Sequence, residues 1–343
     1  MTTLDKNDFK YILMKDAEWC NHLGFSDFEG LNKIIRNGKA VQLVNLCEAR
    51  HENRCSTIAY KIKESGCRLV LLAGPSSSGK TSTSLRIALQ CKVHGLNPRT
   101  IELDNYFVDR EKTPKLPNGQ YDYECLEAMD IELLNDNLRS LARGERVELP
   151  RYDFKEGRKF FEGNYMQLAP NDILIMEGIH ALDKAMTPGI PDEVKFMIYV
   201  SDISSISNYD TNIRTTDNRL LRRIVRDNLT RGILPEVNIT RWKDVRNGED
   251  KYIFPFQSNA DVVFNSTAAY ELPLLKHYIT PLLHGISEDS PAWEEARRLL
   301  DILGKTDGLP IDAINAIPCT SIIREFIGGQ ILSRDLRLYE RNF

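Results

Sequence analysis

The chain has 343 residues, 42% of them hydrophobic and 27% charged, which is enough for one large α/β domain with a smaller appendage and too well mixed for wholesale disorder. A formal net charge of -4 argues against general nucleic-acid binding and against a membrane surface, and no apolar run approaches the length of a membrane span. Seven scattered cysteines without a CxxC pair, and six histidines without ligand spacing, read as free thiols in a reducing cytoplasm, with neither disulfides nor a zinc site.

Residues 1–66 read as helical, because Leu31, Ile34 and Ile35, then Ala40, Leu43, Val44 and Cys47, recur at helical spacing, with Gly38 between two helices. At Arg68 the pattern becomes a continuous apolar run, Leu69 to Ala73, the mark of a strand buried on both faces. A Gly/Ser turn follows, then a helix from Lys80 that stops at Gly95. A short strand is expected at Thr100–Leu103 and a helix around Ile131–Ala142. The stretch Arg146–Leu168, broken by Gly157 and Gly163, reads as β-hairpin. Further strands are expected at Ile173–Met176, Phe196–Val200 and Asp261–Phe264, and helices at Arg219–Leu229, Leu272–Leu283 and Trp293–Leu303. Strands alternating with helices predict a parallel sheet covered on both faces.

The turn after the first strand, Gly74-Pro75-Ser76-Ser77-Ser78-Gly79-Lys80-Thr81, satisfies GxxxxGK[ST] in the strand–turn–helix context that gives the motif its meaning. Its backbone N–H groups and those opening the helix, Ser82 included, are expected to cradle phosphates, with Lys80 reaching the terminal ones and Thr81 holding Mg²⁺. Chance would place the motif in about one chain in a hundred of this length. Asp104, at a strand's C-terminal end, is a candidate acceptor of a hydroxyl proton and a further magnesium-side carboxylate; an Asp that merely opens a turn is the ordinary explanation. Glu177, ending the run Ile173–Met176, has the shape of a Walker B acid. Arg219, Arg222, Arg223 and Arg226 share one helical face, expected to act as a lid over transferring phosphate; pairing with Asp210, Asp217 and Asp227 on a solvated face is the bland alternative.

These pieces, taken with Leu103-Asp104-Asn105-Tyr106-Phe107, Tyr121-Asp122-Tyr123, Leu149 to Phe154 and Met176-Glu177-Gly178-Ile179, give the segment from about Arg68 to His284 a clear resemblance to the uridine kinase and phosphoribulokinase family of P-loop kinases. Trp242, Ile253 to Gln257 and the tail Arg324 to Gly329 are similar to bacterial uridine-kinase-like proteins. Those often carry a TGS domain and a threonyl-tRNA-synthetase-like domain before the kinase. Neither fits in the helical segment here, so the chain reads as a shorter relative or a fragment.

The resemblance implies a nucleoside-kinase-like P-loop fold with a five-stranded parallel sheet, a hairpin substrate subdomain (144–168) and an arginine-rich lid (217–250) within a kinase domain at 67–287. A helical segment (1–66) would precede that domain and a helical extension (288–343) would follow it. It implies ATP and Mg²⁺ and a small-molecule hydroxyl acceptor, with uridine or cytidine first, and it leaves room for a homo-oligomer. By the same resemblance Asp104 is the general base, with Lys80, Arg222 and Arg226 beside it in catalysis. Asp122, Tyr106, Tyr152 and Arg219 bind the acceptor, Gly74, Ser76, Ser77, Ser78, Gly79, Lys80, Thr81 and Ser82 hold the nucleotide, and Thr81, Glu177 and Asp104 serve the metal. One departure concerns specificity: Lys155-Glu156-Gly157-Arg158-Lys159 stands where uridine–cytidine kinases place a base-reading histidine. The Pro usual after the sugar-binding Asp is also absent, Tyr123-Glu124-Cys125 standing there. Alternatives are another hydroxyl acceptor (sugar, sugar phosphate or pantothenate-like) on the same fold, or a non-catalytic nucleotide sensor. All of these expectations require Asp104 and Glu177 to approach Lys80, and a loop not filled by the protein's own side chains.

Overall fold

The computed structural model describes residues 9–117, 119–203, 214, 216–332 and 336. Three helices, α1 (Phe9–His22), α2 (Phe28–Arg36) and α3 (Ala40–Ser65), precede strand β1 (Leu69–Ala73). Helix α4 (Lys80–Val93) and strand β2 (Asn97–Glu102) follow, then α5 (Ile131–Ala142) and the short strands β3 (Val147–Glu148), β4 (Arg151–Asp153), β5 (Arg158–Phe160) and β6 (Tyr165–Met166). The chain continues through β7 (Asp172–Glu177), β8 (Lys195–Ser201), α6 (Asp217–Arg231), α7 (Pro235–Tyr252), β9 (Val262–Asn265), α8 (Glu271–His284), α9 (Trp293–Gly304), α10 (Ile311–Asn315) and α11 (Arg324–Ile327).

Five strands form one sheet in the order β2-β7-β1-β8-β9, every pair parallel. All five β1 residues are buried, and their alternation decides which core each joins. Val70 and Leu72 enter the core that holds α3, α4, α6 and α8, whereas Leu69, Leu71 and Ala73 enter a second core with α5 and the hairpin region. Helical layers on both faces explain why β1, β7 and β8 are near-continuous apolar runs.

The helix from Lys80 ends at Val93, two residues before Gly95. The second strand runs from Asn97 to Glu102, earlier than its apolar pattern suggested, and Leu103–Tyr106 is a 3-10 turn. The stretch 146–168 is two nested antiparallel pieces, β3 with β6 and β4 with β5.

The first helices are not set apart from the elements around the sheet. Leu31, Leu43, Val44, Cys47 and Ile58 share one core with Ile87, Leu274 and, near the far end of the chain, Ile322 and Phe326. Glu48 of α3 ties these regions together. It accepts from the Tyr270 hydroxyl at 2.6 Å and from Ser321 Oγ at 2.7 Å, and it pairs with Arg86 of α4 at 3.2 Å.

Candidate active site

Parallel pairing sets the site. Leu72 of β1 lies opposite Glu177 of β7, and Glu102 of β2 lies opposite the same Glu177. The loop leaving β1, the Glu177 carboxylate and the turn carrying Asp104 therefore emerge side by side at the C-terminal edge, where open α/β sheets bind ligands.

The loop is shaped by close approach. A Cβ at Gly74 would lie 2.1 Å from the Val200 carbonyl oxygen of β8, so only glycine lets the chain turn there. Ser77 at φ 59° and Gly79 at φ 83° both take left-handed backbone, which turns successive N–H groups toward one focus. The amides of Ser77, Gly79, Lys80 and Thr81 have no acceptor among the described residues. At its two ends the donor row meets protein carboxylates: Ser76 N donates to Glu249 Oε1 at 3.0 Å, and Ser82 N donates to Glu325 Oε2 at 3.0 Å.

Thr81 Oγ1 donates to Glu177 Oε1 at 2.9 Å. Burial and then the charge of Asp104 push Glu177 up to about 7, while Lys80 and the Thr81 hydroxyl pull the other way. Asp104 opens onto the cleft but is enclosed enough that desolvation raises its carboxyl, with Lys80, Arg231 and Arg226 opposing. Two carboxylates and a hydroxyl gathered at the end of a phosphate loop are hard oxygen donors that suit a magnesium ion sharing its remaining positions with water and phosphate. Thr81, Glu177 and Asp104 fit that ion.

Beyond the loop lies a cleft of about 1020 Å³, lined among others by Lys80, Asp104, Asp122, Tyr152, Glu177 and Arg226. One wall is aromatic. Phe107 contacts Tyr123, Tyr152 and Phe154 at centroid distances of 6.1, 5.7 and 6.2 Å, and Tyr152 meets Phe154 at 5.1 Å. Phe154 is 56% exposed, so a flat apolar face is presented to the cleft. Arg110 clamps the adjoining hairpin, donating to the carbonyls of Phe154 at 2.7 Å and Lys155 at 3.1 Å. Asp122 accepts from the Tyr252 hydroxyl at 3.3 Å and from the Glu124 amide at 3.1 Å.

Three expected site residues lie elsewhere. Tyr106 turns away from the cleft into the second core, where it is 1% exposed and its hydroxyl accepts from Asn137 at 3.0 Å. Burial pushes that hydroxyl up to about 12, so it is packing rather than a substrate contact. Arg222 is wholly buried and committed: it pairs with Glu271 at 2.6 Å and donates to Ser266 O at 3.0 Å and Ser77 O at 3.3 Å. Arg219 likewise makes a two-armed pair with Glu249 at 2.5 and 2.9 Å and donates to Ser76 O. Both arginines brace the loop from behind, and neither is free to clamp a phosphate or a sugar. Helical periodicity correctly put them on one stripe; it could not tell which part of the stripe faces protein.

Arg226 and Arg223 of the expected lid face the cleft, and so does Arg231, which lies outside the four-arginine stripe. Of the acids named as partners for a solvated arginine face, Asp227 pairs with Arg226 at 2.8 Å and Asp217 with Arg298 at 2.6 Å; Asp210 lies outside the described residues. Tyr123, Glu124, Phe154, Glu249 and Glu325 were also unassigned. Tyr123, Phe154 and Glu325 stand inside segments that carry the family resemblance, Glu124 beside one of them and Glu249 outside them all.

A model of the phosphoribulokinase / uridine kinase family matches residues 69–272. Uridine kinase from Macrococcus caseolyticus is 32% identical over 196 residues, covering 57% of this chain and 86% of that protein. Uridine kinase from Staphylococcus epidermidis is 30% identical over the same shares of each chain. Among solved structures, a possible uridine kinase from Bacillus stearothermophilus aligns with a TM-score of 0.41 at 21% identity, covering 64% of this chain and 98% of that one. A putative fructose transport system kinase from Silicibacter sp. TM1040 aligns with a TM-score of 0.43 at 18% identity, covering 61% and 98%. Scores of that size carry no weight beside the family model and the sequence relatives.

Proposed function

The chain belongs to the phosphoribulokinase / uridine kinase family of ATP-dependent kinases, and from that premise we propose that it moves the γ-phosphoryl group of Mg·ATP to a nucleoside 5′-hydroxyl, uridine or cytidine first among candidates. The observation that carries the reading is the convergence of Thr81, Glu177 and Asp104 on the Lys80 end of the phosphate loop.

In this reading the free amides of the loop hold the phosphates, and Lys80 with Arg226, Arg223 and Arg231 offsets charge on the transferring group. Thr81, Glu177 and Asp104 would hold a magnesium ion, which would supply positive charge to offset that of the phosphates. Asp104 takes the acceptor's proton, and the desolvation that raises its carboxyl makes it a stronger base for that task. Asp122 receives the ribose hydroxyls. Tyr152, Phe154 and Tyr123 stack on the base, which the aromatic wall favours over a small sugar. The reading takes 67–287 as the kinase domain, with the hairpin subdomain at 144–168 and the lid region at 217–250. The seven free cysteines accord with work in the cytoplasm. Among the described residues no helix is long and apolar enough to cross a membrane.

A panel of nucleosides and sugars with ATP tests this directly. Turnover with uridine or cytidine, lost in Asp104→Asn while ATP still binds, supports it. Turnover with another alcohol alone moves the acceptor. Tight ATP binding without any turnover leaves a nucleotide sensor.

A further inference from the structure

The C-terminal segment returns to the phosphate loop. Helix α11 places Glu325 so that its Oε2 accepts from both Ser82 N, at 3.0 Å, and Ser82 Oγ, at 2.7 Å. Gln330 donates to the same Ser82 hydroxyl. The segment is anchored on either side of that contact: a Cβ on Gly79 would lie 2.6 Å from Ile322 Cγ2, and the Phe326 ring lies 5.1 Å from the Arg222 guanidinium. A backbone bond from Ile331 N to Cys319 O, 3.2 Å long, closes the turn beyond it.

Ser82 is the third residue of α4, so its amide is one of the unsatisfied donors at that helix's N-terminus. A phosphate chain in this loop draws on those same donors, because loop amides and helix N-terminus converge on it. A carboxylate that takes both the amide and the hydroxyl of Ser82 makes the contacts a phosphate oxygen would make. It also adds a negative group to a cleft already lined by Asp104, Asp122 and Glu177 among other acids.

We propose that Glu325 sets the nucleotide affinity of this site: its carboxylate stands on Ser82 in place of a nucleotide phosphate and must release Ser82 before the phosphates seat. This rests on the nucleotide-binding reading of the loop. The alternative is a plain helix cap that holds the segment on the core and has no bearing on ligand.

Titration calorimetry with ATP and with adenosine on the full chain tests it, comparing wild type, Glu325→Gln, Glu325→Ala and Lys80→Ala. Glu325→Gln keeps the side chain's shape and an acceptor oxygen but removes the charge, which guards against a misfolded alanine variant. The expected result is ATP bound roughly tenfold tighter by Glu325→Gln, as fits loss of one charge-assisted competitor. Adenosine, having no phosphate to compete, is expected to bind alike in both. Unchanged or weaker ATP binding in a folded Glu325→Gln overturns the proposal, and so does adenosine tightening as much as ATP. Lys80→Ala separates the two readings: ATP binding undiminished there sinks the nucleotide reading itself. Binding lost there but unaltered by the Glu325 variants sinks only the role of Glu325.

Discussion

Thr81 and Glu177, 96 residues apart in sequence, meet at 2.9 Å because β1 and β7 are parallel neighbours in a register that sets Leu72 beside Glu177. The hydroxyl donates to the acid here, and both oxygens are the kind a magnesium ion takes. Glu177→Gln is therefore expected to lower phosphoryl transfer by roughly a hundredfold or more, since the lost charge acts at the transferring group. ATP binding measured in EDTA should stay close to wild type. Full turnover in the variant, or loss of metal-free ATP binding, contradicts the assignment.

Asp104→Asn keeps size and removes the proton acceptor. A drop in kcat of about 10²- to 10⁴-fold is expected, with ATP affinity unchanged, as measured by coupled assay and calorimetry on one preparation. A variant that falls only a few-fold would make Asp104 a turn-opening residue.

Arg222 and Arg226 should respond differently although they are one helical turn apart. Arg222→Ala leaves Glu271 buried and unpaired, at a cost of about 3–5 kcal/mol in unfolding free energy. Arg226→Ala removes a side chain at the cleft wall and should reduce kcat with a smaller loss of stability, because buried Asp227 loses its 2.8 Å partner but keeps Arg223 and Arg231 at 3.5 Å. Denaturation and kinetics on both variants check the contrast. Equal stability losses would place Arg226 in the core as well.

Glu124 gives a pH prediction. Burial, then repulsion from Glu249, pushes its carboxyl up to about 7, and one of its oxygens is buried without a partner among the described residues. The folded state then holds a proton that the unfolded chain releases near 4.5, so its contribution is greatest below about 4.5 and is lost as pH rises toward 7. Glu124→Gln should flatten the decline of stability across that window, by an amount on the order of 2 kcal/mol. Parallel melting curves at pH 5 and 7.5 decide it; identical pH slopes in the two proteins refute it.

Much of the architecture was readable from local pattern. Leu69 to Ala73 could only be a strand buried on both faces, and GxxxxGK[ST] after it fixed where the loop lies. Glu177 and Asp104 were legible because strand ends in a parallel sheet share one edge. Tyr106 and Arg222 were misplaced for a single reason: a motif names a residue, whereas burial against Asn137 or Glu271 depends on elements far away in sequence. Strand β2 was set late because Asn97, Pro98 and Arg99 look like loop residues, and only pairing with β7 makes them strand. The tail Arg324 to Gly329 stood out by resemblance, but where Glu325 would dock could not be read from it. The partner of Glu325, Ser82, is 243 residues away, and nothing in the tail's composition marks an acid bound for the loop.

Glu48 gives the first helices a bearing on any attempt to isolate the catalytic portion. Arg86 is only 2% exposed and draws its counter-charges from Glu48 and Glu52 of α3. Cutting the chain at residue 67 would take both counter-charges from that guanidinium, uncover the apolar surface that α3 packs on, and leave the Tyr270 and Ser321 hydroxyls without their shared acceptor. An excised fragment that proves insoluble or inert would then report on this orphaned charge and say nothing about the chemistry at the loop.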